Sequence, residues 1–215
     1  EYCVRRHIPL MIFINGIDKE NSNYVATVEA FRERFGKVIA TMHTPIISGG
    51  KMKGYVSVIS GKAYEFTKGG RNEIAVPDGM KEEVALLKEG LTEAAAESSE
   101  VLLEKYLSEG TLNNDEIIAG IKVGLLEGGT IPVMGGSATQ NLGVINLMNE
   151  IVEILPSPKE RKPVLATDLA TGDILNVTCD ENAPFSAQVF KTIADPFVGK
   201  LNMPVSYTHL RAHET

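Results

Sequence analysis

The stretch from Leu10 to Asp18 reads Leu-Met-Ile-Phe-Ile-Asn-Gly-Ile-Asp and decides how the rest of the chain is interpreted. Its five apolar residues run without alternation and lead into the polar loop Asn15-Gly16-Ile17-Asp18. A continuous apolar run of this length is typical of a strand buried on both faces, as in a parallel sheet. Ligands of such sheets bind at the carboxyl ends of the strands. The sequence therefore predicts that Asn15 and Asp18 stand at a ligand-binding edge.

The carboxylate of Asp18 could select a particular purine at that edge. A carboxylate accepts two hydrogen bonds from neighbouring N–H groups of a planar ring, and guanine offers such a pair where adenine does not. Each hydrogen bond to a charged group contributes about 1.5–3 kcal/mol, so two would favour guanine by roughly two to four powers of ten. We expect Asn15 to brace the loop rather than read the base. An Asx-type turn after a strand explains the same residues without any ligand.

Composition limits the classes of protein to consider. The chain has 215 residues, 43% apolar and 23% charged, which is typical of one medium or two small globular domains. Its net charge of −7 argues against a protein that coats nucleic acid. Cys3 and Cys179 lie far apart, which favours reduced thiols and a cytoplasmic location. No run of 18 apolar residues and no signal peptide is visible, so we predict no membrane association.

Hydrophobic periodicity predicts alternating strands and helices up to residue 158. A helix is expected within 19–35 and a second strand within 38–45. The segment 41–129 then has a different character and reads as an α+β insertion. Its elements are a β-hairpin over 54–66 and three helices, over 78–97, over 99–107 and from Asn113 onward. Glu116 follows Asn113 by three residues, the spacing of a capping box. A short apolar strand returns at 130–134 and is followed by a helix over 144–155.

The last part of the chain predicts a separate all-β region. Residues 159–163 are charged and flanked by proline, which is typical of a linker. Residues 164–204 read as the first strands of a β-barrel or sandwich, with too few strands to close it. The final eleven residues, 205–215, match no element pattern and resemble a translated sequencing adapter, so we exclude them from the fold. We predict no metal site at His209 and His213.

The loop after the strand at 130–134 complements the loop at Asn15–Asp18. It reads Gly136-Ser137-Ala138-Thr139, and a turn of this kind exposes backbone N–H groups. One such N–H can donate to the six-oxygen of guanine, which adenine lacks. The two loops therefore predict the two halves of one base pocket.

Several pieces of the chain resemble translational GTPases, most closely elongation factor G. They are Ile-Asn-Gly-Ile-Asp-Lys-Glu-Asn at 14–21, Gly-Ser-Ala at 136–138, Leu-Pro-Ser-Pro at 155–158 and Phe-Lys-Thr-Ile-Ala-Asp-Pro-Phe-Val-Gly-Lys-Leu at 190–201. Within the insertion, Met-Lys-Gly-Tyr-Val at 52–56 and Leu-Glu-Lys-Tyr-Leu at 103–107 fit the extra subdomain of that factor. The resemblance covers residues 1 to about 203, and the last motif, at the start of a β-barrel domain in that factor, is quite specific.

The resemblance implies an α/β fold, the C-terminal half of a doubly wound P-loop GTPase domain. That domain would comprise 1–40 and 130–158, with the insertion at 41–129, and the linker and first barrel strands would follow at 159–204. It further implies that GTP or GDP is held by Asn15, Gly16, Asp18, Ser137 and Ala138. A full-length protein of this kind is a monomeric, ribosome-dependent GTPase in the cytoplasm, with the ribosome as its partner.

The chain departs from the family pattern at Gly16 and at Thr139, where the family often has a bulky apolar residue, and it also lacks the family's phosphate-binding motif. No G-x-x-x-x-G-K-[ST] occurs, so the phosphate cradle and the Mg²⁺ site would lie in segments outside this chain. We therefore predict no catalytic or metal-binding residue here, and we expect the chain alone neither to hold GTP well nor to hydrolyse it. Gly16 stands where the family usually has lysine, a loss of apolar cover of about 1–2 kcal/mol unless a neighbouring loop or aromatic covers the base. The Gly16 departure favours one alternative, a non-hydrolysing ribosome-binding paralogue. A ribosome-protection factor of the same superfamily is a further alternative.

Overall fold

The computed structural model of the protein describes residues 2–6, 8–67, 70–160, 163–180 and 182–206. Its chain divides into two compact units, Glu1–Leu155 and Pro156–Thr215. The described elements of the first unit are, in chain order, α1 (Tyr2–Arg5), β1 (Ile12–Asn15), α2 (Tyr24–Phe35), β2 (Ile39–Thr41), β3 (His43–Ser48), β4 (Lys51–Ser57), β5 (Lys62–Thr67), β6 (Gly70–Ile74), α3 (Lys81–Glu97), α4 (Glu100–Glu109), α5 (Asn114–Glu127), β7 (Ile131–Gly136) and α6 (Val144–Ile154).

A parallel sheet with the strand order β1-β7-β2 organises the first unit. The predicted strands at 10–14 and 130–134 are confirmed, and they pair in parallel with Asn15 opposite Gly136. The expectation that β1 is buried on both faces is wrong, because Ile12, Phe13 and Ile14 are only half-buried. Among the described residues β1 pairs with β7 alone, so it lies at an edge of this sheet, whereas every residue of the central β7 is buried.

Helices cover both faces of this sheet. Neighbouring side chains of a strand point to opposite faces, so β1 contributes to the packing on both. Ile12 and Ile14 pack on one face with Val28 of α2. Phe13 packs on the other face against a cluster built largely by α3, α5 and α6, with Leu91, Ala95, Ile117, Ile121, Leu125 and Ile154 buried in it. The fold is thus mixed α/β. The segment 41–129, predicted as an insertion, shares this cluster with the strands that flank it.

An antiparallel sheet, β3-β4-β5-β6, follows the parallel one in the chain, and a single residue, Met42, separates β2 from β3. The predicted hairpin corresponds to β4 and β5. Residues 70–72 are polar and belong to the edge strand β6. Their polarity is compatible with a strand because both of its faces are exposed at these positions.

The helix boundaries follow from local capping. Asn23 begins α2 by accepting a hydrogen bond from the N–H of Ala26 at 3.0 Å. Asn113 and Glu116 form the predicted capping box at the start of α5, and Gly128 ends that helix in the left-handed conformation. No helix in the described part of the chain is long and apolar enough to cross a membrane.

The second unit consists of two antiparallel strand pairs within its described residues. They are formed by β8 (Val164–Thr167) with β9 (Ile174–Val177) and by β10 (Ala187–Asp195) with β11 (Gly199–Ser206). A turn joins β10 to β11, and in it Asp195 accepts hydrogen bonds from the N–H groups of Phe197 and Val198. Val205 and Ser206, which we excluded from the fold, belong to β11 and pair with β10. Residues 207–215 lie outside the described residues.

Candidate functional site

The two loops singled out in the sequence meet at the carboxyl edge of the parallel sheet. Because β1 and β7 are neighbours and end at the same level, the chain leaves both strands side by side. The N–H groups of Gly16 and Ile17 both donate to the carbonyl oxygen of Gly136, at 2.9 and 3.2 Å. Residues 15–18 are therefore fixed directly to the end of β7, where the loop 137–142 begins.

Asn15 braces the two loops against each other, as predicted. Its Oδ1 accepts a hydrogen bond from the N–H of Ala138 at 2.9 Å. An Asx-type turn would instead use this oxygen within its own loop, so that alternative is wrong for Asn15. The loop is closed by its backbone, with the N–H of Lys19 donating to the carbonyl oxygen of Gly16 at 3.1 Å.

The hydrogen bond to Asn15 also occupies the backbone N–H of Ala138. Its N–H, which we expected to read the six-oxygen of a base, is already engaged by Asn15. The next N–H in the turn, that of Thr139, has no hydrogen-bond partner among the described residues, and Thr139 is exposed. The N–H of Thr139 is thus an unpaired donor at this edge, and the sequence interpretation did not single it out. Its place in the same Ser-Ala-Thr turn was the available signal.

Ser137 shapes the turn and is fully buried. Its backbone N–H and carbonyl oxygen both pair with Leu142 at 2.9 Å, and its Oγ accepts from the N–H of Gln140 at 3.2 Å. All of these partners belong to the turn itself. Ser137 therefore holds the loop in shape and does not present its side chain to a ligand.

Asp18 carries an unpaired acceptor at the site. Its Oδ1 is buried and has no hydrogen-bond partner in the described structure. Leaving such an atom unpaired costs about 1–3 kcal/mol, and more when the group is charged. Buried polar atoms of native proteins nearly always have a partner, so an exception requires an explanation. A ligand that donates N–H groups at this edge would supply the missing partner.

Gly16 adopts a backbone conformation that other residues rarely take, with φ of 80°. A Cβ built on it would lie 3.4 Å from Cδ and Cε of Lys19, which is ordinary van der Waals contact. The obstacle to a larger residue at this position is thus the backbone conformation and not a lack of space. Replacing glycine in a left-handed conformation costs about 1–2 kcal/mol.

Polar contacts hold α6, which follows the loop 137–142, against the antiparallel sheet. On β6, Nη1 of Arg71 donates to Oδ1 of Asn146 at 2.9 Å and to the hydroxyl of Tyr55. One helical turn further along α6, Oε1 of Glu150 lies 3.1 Å from Nε2 of His43. The sheet thereby fixes the helix on which the loop ends.

The hydroxyl of Tyr55 predicts a dependence of stability on pH. Burial raises the pKa of Tyr55 from its ordinary 10.0 to about 12, although the charge of Arg71 opposes the shift. The unfolded state loses this proton first, so the contribution to stability is complete below pH 10 and is lost as the pH rises through about 12. We expect urea denaturation at stepped pH to show this fall, and to show less of it in Tyr55→Phe. An identical fall in both proteins would contradict the assignment.

The bond between Asn15 and Ala138 gives a second prediction. Asn15→Ala removes the acceptor, so we expect the free energy of unfolding to drop by about 0.5–1.5 kcal/mol. The amide of Ala138 should then exchange its hydrogen with solvent faster, as measured by NMR. Asn141→Ala is unsuitable as a control because Asn141 has a positive φ, whereas the exposed Asn72 offers a matched Asn→Ala change away from the loops. Unchanged exchange at Ala138 would show that the bond does not hold the loop.

A cavity of about 630 Å³ lies elsewhere in the first unit, between α2, β2 and α3. Its lining includes Arg32, Ala40 and Leu87 but no residue of the two loops. The candidate site is accordingly an open edge of the sheet with one unpaired buried carboxylate oxygen, and not an enclosed cavity.

Comparison with known proteins agrees with the mixed α/β class. No protein-family model matches the chain. A crystal structure of a protein from Thermus thermophilus is similar, with a TM-score of 0.72 and 31% sequence identity. The similarity covers 95% of this chain and 28% of the Thermus chain. The present chain thus spans little more than a quarter of that relative.

Proposed function

We propose that the two loops form the base-reading part of a guanine-nucleotide site. The observation that carries this proposal is the buried, unpaired Oδ1 of Asp18 at the carboxyl edge of a parallel sheet. A carboxylate there accepts the two N–H groups on one edge of guanine. Adenine offers a single N–H donor beside a ring-nitrogen acceptor on its corresponding edge, so one of the two hydrogen bonds to the carboxylate would be missing.

The other loop residues have supporting roles in this proposal. The open N–H of Thr139 donates to the six-oxygen of the base, and the N–H of Ala138 does so only if Asn15 releases it. Asn15 and Ser137 hold the two loops in shape through the bonds described above. Gly16 provides the positive φ that turns the loop toward Asp18.

The proposed class is a GTP-binding translation elongation factor of the elongation factor G type. The four sequence motifs support it. The similarity to a much longer Thermus chain, over 28% of that chain's length, agrees with the present chain being part of a longer protein and does not by itself indicate the class. The complete protein would hydrolyse GTP on the ribosome in the cytoplasm, as a monomer. Because this chain has no G-x-x-x-x-G-K-[ST], the phosphates and Mg²⁺ would be held by other segments.

The coding sequence that adjoins this chain tests the class. We expect a G-x-x-x-x-G-K-[ST] motif to be encoded ahead of Glu1 and further β-barrel strands after residue 204. Absence of the phosphate motif from the complete protein would contradict GTP hydrolysis. Guanine binding by this chain would then remain a separate question, to be answered by titration with guanosine monophosphate.

A non-hydrolysing, ribosome-binding paralogue is the second candidate, and Gly16 is the observation that favours it. Titration of the complete protein and of Gly16→Lys with GDP distinguishes the two. Tight binding by the parent, weakened by the strain of a left-handed lysine, supports the GTPase. Weak binding by the parent that Gly16→Lys restores supports the paralogue. A ribosome-protection factor would be recognised by its later domains.

A further inference from the structure

Lys19 lies against the one residue of the first loop that has no side chain. A Cβ on Gly16 would be 3.4 Å from both Cδ and Cε of Lys19, so the lysine stem runs alongside the glycine. The N–H of Lys19 donates to the carbonyl oxygen of Gly16 at 3.1 Å, which turns the chain back. The stem therefore borders the volume that a side chain at position 16 would occupy.

The backbone beneath this stem is held in place. Gly16 and Ile17 both donate to the carbonyl oxygen of Gly136, so this part of the loop is tied to β7. Lys19 is exposed, and no described residue forms an ion pair with its ammonium group. An apolar stem thus lies on a fixed backbone, one residue from the unpaired carboxylate oxygen of Asp18.

We infer that Lys19 is a positioning residue whose methylene stem covers one face of the purine, an inference that rests on the function proposed above. A planar ring held along its edge by Asp18 and the 137–139 turn leaves its two faces open to water. Covering a face with CH₂ groups is favourable for any base, since it depends on the apolar area buried. In this arrangement Asp18 selects the base, and Lys19 increases the affinity without changing the selection.

Titration of the 215-residue chain with nucleoside monophosphates, followed by backbone amide NMR, tests this division of roles. Inosine monophosphate lacks the amino group of guanine, so the ratio of guanosine to inosine affinity reports the selection by Asp18. We expect Lys19→Ala to weaken binding of both nucleotides by about three- to tenfold, with their ratio unchanged. Lys19→Met retains an apolar stem without the charge and should stay within about twofold of the parent. The exposed Lys53→Ala is the matched control, with no expected effect.

The outcomes separate this inference from the proposed function. No response of the parent chain to guanosine monophosphate would overturn the proposed function, and the role of Lys19 with it. Binding by the parent that Lys19→Ala leaves unchanged would overturn the role of Lys19 alone. Equal losses in Lys19→Ala and Lys19→Met would assign the effect to the ammonium group, and a changed nucleotide ratio would make Lys19 a selecting residue. Either result would also overturn the inference.

Discussion

Asp18→Asn is expected to transfer the purine preference of the site from guanine to xanthine. The carboxylate accepts two hydrogen bonds, whereas an asparagine amide accepts one and donates one. Xanthine presents the matching pair, an N–H beside a carbonyl oxygen, on the edge where guanine has two donors. Losing one hydrogen bond to a charged group corresponds to about 1.5–3 kcal/mol, so guanine affinity should fall by roughly ten- to a hundredfold.

The measurement is an NMR titration of parent and variant with guanosine, xanthosine and adenosine monophosphates. Responses are expected at the amides of 16–19 and 137–141. The exposed Asp115→Asn serves as a control, because it makes the same chemical change on α5, away from the loops. If Asp18→Asn bound guanosine monophosphate as well as the parent does, the carboxylate would not be the selecting group. Failure of the variant to gain affinity for xanthosine monophosphate would likewise contradict the proposed contact.

Gly136→Ala is expected to destabilise the first unit and to displace the second loop at the same time. A Cβ at this position would lie 2.7 Å from Cζ of Phe13, and closer still to the backbone carbonyl oxygen of Leu142. Phe13 has some freedom to move, but Leu142 is tied to Ser137 by two backbone hydrogen bonds. Overpacking of this kind costs about 1–3 kcal/mol. We expect urea denaturation to show that loss, together with weaker guanosine monophosphate binding under conditions where the variant remains folded.

Gly90→Ala is the matched control for this change. Gly90 lies inside α3, and nothing lies within 4 Å of a Cβ built on it. Alanine is a better helix former than glycine, so this variant should be more stable by about 0.5–1 kcal/mol and bind nucleotide as the parent does. Equal stability of Gly136→Ala and the parent would mean that the turn does not pack on the strand end as described.

Local sequence was sufficient for the elements that carry the site. The apolar runs predicted β1 and β7, and the Asn113–Glu116 spacing predicted the start of α5. These features depend on contacts between residues three or four positions apart, or on the alternation of side chains along a strand. Such short-range interactions can be predicted from the order of neighbouring residues.

The contacts between elements were less predictable. The edge position of β1 follows from the order β1-β7-β2, which no pattern within 10–18 specifies. Likewise, the contact of Arg71 with Asn146 joins residues of β6 and α6 that are adjacent only after both sheets have formed. The residue order within any one of these elements does not indicate its neighbours.

At the site itself, the sequence was sufficient to predict that Asn15 holds the loop in place and that a carboxylate lies at the end of β1. Only the tertiary structure decided that the N–H of Ala138 is taken by Asn15, that the Oδ1 of Asp18 stays unpaired, and that the stem of Lys19 lies beside Gly16. The physical reason is that each donor can serve few acceptors. The pairing of β1 with β7 brings two distant loops within hydrogen-bonding distance, and acceptors from both loops then compete for the same donor. The order of residues within either loop does not show which acceptor forms the bond.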